Sequence, residues 1–135
     1  MFSQYIRLRD CIKTTGTIWK GVCRTCGRTY RFEKLQAGHF IPGRTRAILF
    51  DERCVHIQCY RCNRIIKEVW PPYYRFMQKV YGQDVIEELV DLWGQDRELT
   101  RDWFEQSYEY YSWCVDYMRE HQQLIDSDTS KIATG

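Results

Sequence analysis

Two Cys-x-x-Cys pairs, Cys23/Cys26 and Cys59/Cys62, constrain this chain more than any other feature of it. A two-residue gap lets both sulfurs of a pair face one ion, and two pairs complete the closed tetrahedral thiolate shell of a structural zinc site. Such an ion has no open coordination position, so it holds a fold and does no chemistry; four buried thiols are the plainer alternative. The pairs are separated by 32 residues, 27–58, against about 15–20 in a plain zinc ribbon. The ion would therefore pin both ends of an excursion long enough for two strands and a loop, the kind of support a catalytic constellation needs. Cys11 and Cys114 have no partner at ligand spacing and read as apolar contacts on helix faces.

Charge divides the chain in two. Residues 1–80 carry 16 Lys and Arg against 5 Asp and Glu, a balance of +11, and residues 81–135 carry 4 against 13, a balance of −9. The basic half suits a polyanion and the acidic half would be repelled by one; two oppositely charged faces attracting each other within the fold are the alternative. At 135 residues, 44% of them hydrophobic, the chain fits one compact domain or a small module with a helical extension, helped by a metal staple or by self-association. Its first residues, Met1 to Arg9, have no sustained apolar run, and no stretch is long enough to span a bilayer. The expectation is a reduced, cytoplasmic protein with no membrane partner.

Local patterns divide the chain into elements. Residues 3–13 suit a helix with Ser3 as N-cap, broken by Thr14-Thr15-Gly16-Thr17. Short irregular strands are expected over 18–37, and a strand over His39-Phe40-Ile41 ends at Pro42-Gly43. Arg44-Thr45-Arg46 is a basic loop, Val55 to Cys59 a second strand, and Cys62 opens a helix to about Val69 that Trp70-Pro71-Pro72 interrupts. Tyr73 to Tyr81 is helical and stopped by Gly82. Asp84 and Glu87 form a capping box for a helix closed by Gly94. A last helix starts at Thr100 with a stripe through Phe104, Tyr108, Tyr111, Val115, Met118 and Ile125, and frays from about Ser127.

The excursion between the cysteine pairs holds the residues that point to phosphodiester chemistry. Hydrolysis there needs an activated water, a divalent ion to stabilise phosphate charge, and cations to orient the backbone. His39 can take the proton from water, because neutral imidazole is a competent base near pH 7. Asn63 directly follows Cys62, the last cysteine of the two pairs, and its amide oxygen is a hard ligand suited to Mg²⁺. Arg44, Arg46, Arg53, Arg61, Arg64 and Lys67 surround these residues in sequence and could clamp phosphates.

These residues resemble the His-Me finger (HNH, ββα-metal) nucleases. Cys-x-x-Cys, then Ala37-Gly38-His39-Phe40, then Cys-x-x-Cys-Asn is the relevant order, and His followed by a Cys pair and Asn is similar to the endonuclease VII type, which resolves branched DNA. The phage NinG/Rap family of recombination nucleases is a closer resemblance. It rests on Tyr5-Ile6-Arg7-Leu8-Arg9-Asp10, on Ala37 to Phe40 and on Phe50 to Asn63, and covers about residues 3–66. The resemblance implies an α+β fold: a zinc-stapled ββα-metal module with an N-terminal helix over 1–70, and an acidic, aromatic-rich helical extension over 71–135. It implies that His39 is the general base, that Asn63 helps hold a catalytic Mg²⁺ or Mn²⁺, and that Cys23, Cys26, Cys59 and Cys62 bind structural Zn²⁺. The implied substrate is branched DNA, a four-way (Holliday) junction or D-loop nicked near the branch, in the host-cell cytoplasm if the chain is phage-encoded.

Two positions depart from the superfamily pattern. Gly38 stands where most HNH nucleases carry an Asp or His metal ligand, so Asp51, Glu52 and His56 become candidates for that place. His56, if its strand is regular, points away from the face of Val55, Ile57 and Cys59, towards the metal or a phosphate. Cys54 stands where the superfamily has a loop-fixing Asn. A zinc-stabilised DNA-binding or recombination-mediator module without nuclease activity is the alternative function, and an RNA-directed nuclease a third. In the acidic half, Trp103, Tyr110, Trp113 and Tyr117 lie off or at the edge of the core stripe, and are expected to pack on the nuclease module or to pair two copies into a homodimer suited to a two-fold junction.

Overall fold

The structure, a computed structural model, describes residues 1–41, 46–66 and 70–134, with side chains throughout except at 46 and 129–134. The expected turn at Pro42-Gly43 and the phosphate-clamping side chains Arg44, Arg46 and Lys67 lie outside the described residues.

The chain is α+β, built from helices and two small antiparallel hairpins. Helix α1, Phe2–Thr15, starts after Met1, so Ser3 lies in its first turn and is not its cap. It ends where expected: Gly16 takes the left-handed conformation (φ 79°) and donates its N–H to Ile12 O. The preceding threonines receive the next strand. Val22 N donates to Thr14 Oγ1 (3.0 Å), and Thr15 Oγ1 donates to Lys20 O (2.7 Å). Strands β1, Lys20–Val22, and β2, Thr29–Arg31, flank the first cysteine pair.

Strands β3, Leu35–His39, and β4, Val55–Cys59, pair antiparallel with Leu35 opposite Cys59, Gly38 opposite His56 and His39 opposite Val55. The bounds of β4 are those expected, whereas β3 starts earlier than the sequence suggested and ends at His39. Side chains alternate between the two faces of a hairpin. Leu35, Ala37, Val55 and Ile57 pack with Ile6 and Cys11 of α1. The other face presents Gln36, Gly38, His56 and Gln58, and is covered at His56 by helix α3, Trp70–Tyr81. An ion-paired clamp fastens α1 to β4: Asp10 accepts from Ile57 N (2.9 Å) and pairs with Arg9, which donates to Glu52 O and Val55 O. Asp10 is 1% exposed, and only this pairing makes such burial tolerable.

Between the strands lie a short helix α2, Arg46–Leu49, and a single 3₁₀ turn, Glu52–Cys54. After β4 the chain makes a π-helical turn, Arg61–Ile65. Trp70-Pro71-Pro72 opens α3, because proline is tolerated in the first turn of a helix, where its missing N–H has no partner to lose. Gly82 (φ 87°) joins α3 to α4, Gln83–Trp93. The N-cap of α4 is Gly82 and no side chain caps it, so Asp84 and Glu87 form no capping box. Tyr73, Met77, Ile86 and Leu89 share one buried cluster with Ile6, Phe40 and Val55, so residues on both sides of position 70 contribute to the same core.

Helix α5, Arg101–Thr134, is capped by the Thr100 hydroxyl, which accepts from Trp103 N (3.1 Å), and it continues past Ser127. Its inner side is narrower than the sequence stripe: Val115 and Met118 pack on Leu8 and Ile18, while Phe104 and Tyr108 are exposed. Among the described residues, no helix is long and apolar enough to cross a membrane.

Candidate functional site

The four cysteines converge. Their sulfurs all lie within 4.8 Å of one another, with Cys26 Sγ and Cys59 Sγ 4.0 Å apart. A tetrahedral shell with Zn–S near 2.3 Å has edges of about 3.8 Å, so the cluster could hold a zinc ion. Backbone N–H groups support the sulfurs: Cys59 N points at Cys23 Sγ (3.3 Å) and Cys62 N at Cys59 Sγ (3.5 Å). Burial pushes the Cys23 thiol up, but the N–H of Cys26 and the Thr25 hydroxyl outweigh it and bring it down to about 7. Cys62 moves the other way, pushed up to about 12 by burial and by the neighbouring sulfurs. Four sulfurs this close become thiolates together only with a cation among them, which is the donor chemistry of a Cys₄ zinc site.

His39 ends β3 with its ring exposed. Its Nε2 lies 3.1 Å from Leu49 O. A carbonyl only accepts, so Nε2 carries the hydrogen and the lone pair of the neutral ring lies on Nδ1. The backbone around the ring is pinned as well: Phe40 N donates to Cys54 O (2.7 Å), and Cys54 N to Asp51 O (3.0 Å). Cys54 is buried, and its main chain makes these loop-fixing bonds.

Asn63 lies next to Cys62 in the π-helical turn and donates through Nδ2 to Gln36 Oε1 (2.7 Å), which also lies 3.5 Å from Arg64 Nε. This leaves the amide oxygen of Asn63 outside that bond. Gln36 belongs to the hairpin face of Gly38, His56 and Gln58, while strand alternation gives His39 to the other. Asn63 and His39 therefore share no hydrogen-bond partner; His39 is bonded to the loop and Asn63 to the strand. Gln36 and Gln58 sit directly opposite each other and had no signal in the sequence beyond their place in an alternating strand.

The remaining candidates are differently placed. His56 is 2% exposed, and both its nitrogens meet tyrosine hydroxyls: Nδ1 that of Tyr73 (3.2 Å) and Nε2 that of Tyr81 (2.8 Å). Burial pushes its pKa down to about 3. The expectation that His56 reaches a metal or phosphate is corrected: α3 covers that face of the hairpin, and no ring nitrogen is left to ligate. Asp51 is bound by Arg53 through N (2.9 Å), Nε (3.1 Å) and Nη2 (2.8 Å). Burial pushes its carboxyl up, but Arg53 holds it below the usual carboxylate range. An acid gripped this way is a poor ligand for a second cation. Arg53 also pairs with Glu88 (3.0 Å), so two acids already neutralise it. Arg61 and Arg64 are exposed.

A hard divalent ion requires oxygen donors. The Asn63 side of the hairpin presents carboxamides from Asn63, Gln36 and Gln58, of which Gln36 Oε1 already accepts from Asn63 and Gln58 is buried.

No curated protein and no solved structure matches this chain. A family model described as Bacteriophage Lambda NinG protein matches residues 1–123. That span takes in both cysteine pairs, the strand that ends at His39, the turn that carries Asn63 and most of α5, and the chain belongs to the NinG family.

Proposed function

We propose that this protein is a divalent-metal-dependent endonuclease of the His-Me finger type that nicks branched DNA, and that the cysteine cluster holds its structural zinc. The observation that carries the reading is the His39 ring, exposed at the end of β3 with Nε2–H given to Leu49 O and Nδ1 unpartnered among the described residues. Nδ1 takes a proton from water, and the resulting hydroxide attacks phosphorus as the leaving oxygen departs. The divalent ion, when bound, stabilises charge on the phosphate and the leaving oxygen. Asn63 would hold it through Oδ1, and Arg61 and Arg64 orient the backbone. The succession of β3 ending in His39, a loop, β4 and a turn bearing Asn63 is consistent with a ββα-metal module.

The same reading includes a pair of copies meeting through α5. Tyr110, Trp113, Tyr117 and Leu124 are each more than half exposed, on the side away from Val115, which packs on α1. A two-fold pair would suit a junction that needs two cuts. Light scattering that finds a strict monomer with and without DNA removes this part.

The test of activity is a labelled four-way junction beside linear duplex and single strand, with Mg²⁺ or Mn²⁺ present or chelated. The expected product comes from the junction, requires the metal, and disappears in His39→Ala while binding survives. If the wild-type protein binds the junction and never nicks it, the zinc-stabilised DNA-binding reading replaces this one.

A further inference from the structure

We propose that Tyr73, held from behind by His56 and Tyr81, is a positioning residue for His39. This rests on the nuclease reading above and adds to it a helix that lies well beyond the hairpin in sequence.

Four groups form a directed hydrogen-bond chain. Tyr73 Oη lies 2.7 Å from Gly38 O and is buried. The carbonyl can only accept, so the single hydroxyl hydrogen of Tyr73 points at it. Tyr73 Oη must then accept from His56 Nδ1, 3.2 Å away, which places the ring hydrogen on Nδ1. His56 Nε2 is left as an acceptor, and Tyr81 Oη donates to it at 2.8 Å. The order is Tyr81 to His56 to Tyr73 to Gly38, and no member can be reversed without leaving an acceptor facing an acceptor. Burial favours the neutral form of every side chain in it: it lowers the pKa of His56 and raises those of Tyr73 and Tyr81.

The chain ends on the peptide that leads into the candidate base. Gly38 C=O and His39 N–H belong to one planar unit, so fixing the carbonyl direction fixes the plane from which His39 departs. Gly38 has no side chain of its own to restrain that plane, and Gln58 closes the space above it. His39 is then held at three points: the peptide before it by Tyr73, the N–H after it by Cys54 O, and the ring by Leu49 O. Two of these belong to the loop between the strands. Tyr73 is the anchor that lies on α3, where it shares the main core with Met77 and with Phe40 and Cys54 of the second anchor.

The test is Tyr73→Phe, which keeps the ring and removes the hydroxyl. A reacting group displaced by a fraction of an ångström loses rate and not affinity, so kcat for junction nicking is expected to fall about 10- to 100-fold while KM changes by less than about twofold. Tyr81→Phe, which removes only the far end of the chain, is expected to lower kcat less and also spare KM; it serves if Tyr73→Phe does not fold. Nitrogen chemical shifts of His56 at neutral pH supply a readout independent of activity: a neutral ring with its hydrogen on Nδ1 is expected, and a hydrogen on Nε2 overturns the directed chain. Active wild type beside a folded Tyr73→Phe with unchanged kcat, or a change confined to KM, overturns the positioning role and leaves the nuclease reading standing. Inactive wild type overturns both.

Discussion

The carboxamide of Gln58 fills the space that any side chain at position 38 would occupy: a Cβ built on Gly38 collides with Oε1 of Gln58. Gln58 is 2% exposed, so it cannot swing into solvent without opening the face between the hairpin and the Cys23–Cys26 knuckle. Gly38→Ala is therefore expected to destabilise the fold by about 1–3 kcal/mol, the usual range for overpacking a filled site. Combining it with Gln58→Ala should recover part of that loss. Urea midpoints of the two single variants and the double variant measure the coupling, and strictly additive effects would mean that the two positions do not share this space.

Zinc removal should undo more than the knuckles. The cysteine pairs hold the start and end of the β2–β4 region, and β4 lies between α1 and α3. Cys59→Ser or Cys62→Ser is expected to lower bound zinc below one equivalent and to cost several kcal/mol, because the binding energy of a structural zinc is also folding energy. Elemental analysis of natively purified protein checks the stoichiometry. Thermal unfolding with and without a chelator checks the stability, and identical melting curves would exclude a structural role for the ion.

The low pKa of His56 makes a signed prediction for stability. The ring takes up a proton at about 6.5 when unfolded, but only at about 3 in the fold. Between these values the unfolded chain binds the extra proton, so this residue makes stability fall as pH drops below about 6.5, by up to about 1.4 kcal/mol per pH unit. Above that range it contributes no pH dependence. The check is the difference between wild-type and His56→Gln urea stability from pH 8 to 5, with zinc in excess. That difference should be constant in the upper part of the range and shrink in the lower, as the wild type loses the contribution.

Arginines near the site should separate by their partners. Arg61 and Arg64 are exposed and no acid pairs with them among the described residues, whereas Arg53 is held by Asp51 and Glu88. Every phosphate that a side chain ceases to neutralise takes about 0.9 off the slope of log K against log salt on duplex DNA. Arg61→Ala and Arg64→Ala are expected to weaken DNA binding and flatten that slope by about one each. Arg53→Ala should leave the slope nearly unchanged and lower stability. Salt titrations of junction binding decide this, and an equal slope change for all three would show that Arg53 exchanges its acids for phosphate.

Much of the four-cysteine cluster was legible in the sequence because its geometry is local. The two-residue gap within each cysteine pair sets where the sulfurs point, so spacing alone groups Cys23, Cys26, Cys59 and Cys62 into one cluster that could hold a zinc ion. The bounds of β4 and the stop at Gly16 followed from equally short-range rules of alternation and backbone conformation. Alternation also separated His56 from Val55 and Ile57 correctly, but what covers the His56 face is decided elsewhere. Its partners Tyr73 and Tyr81 lie 17 and 25 residues away, and nothing in the spacing of β4 announces them. The occlusion of Gly38 by Gln58 and the neutralisation of Arg53 by Glu88 are of the same kind. Residue type and spacing determined which groups this chain can offer to a metal or a phosphate. Strand register and the docking of α3 and α4, which depend on contacts between distant segments, decided which of those groups are left free to act.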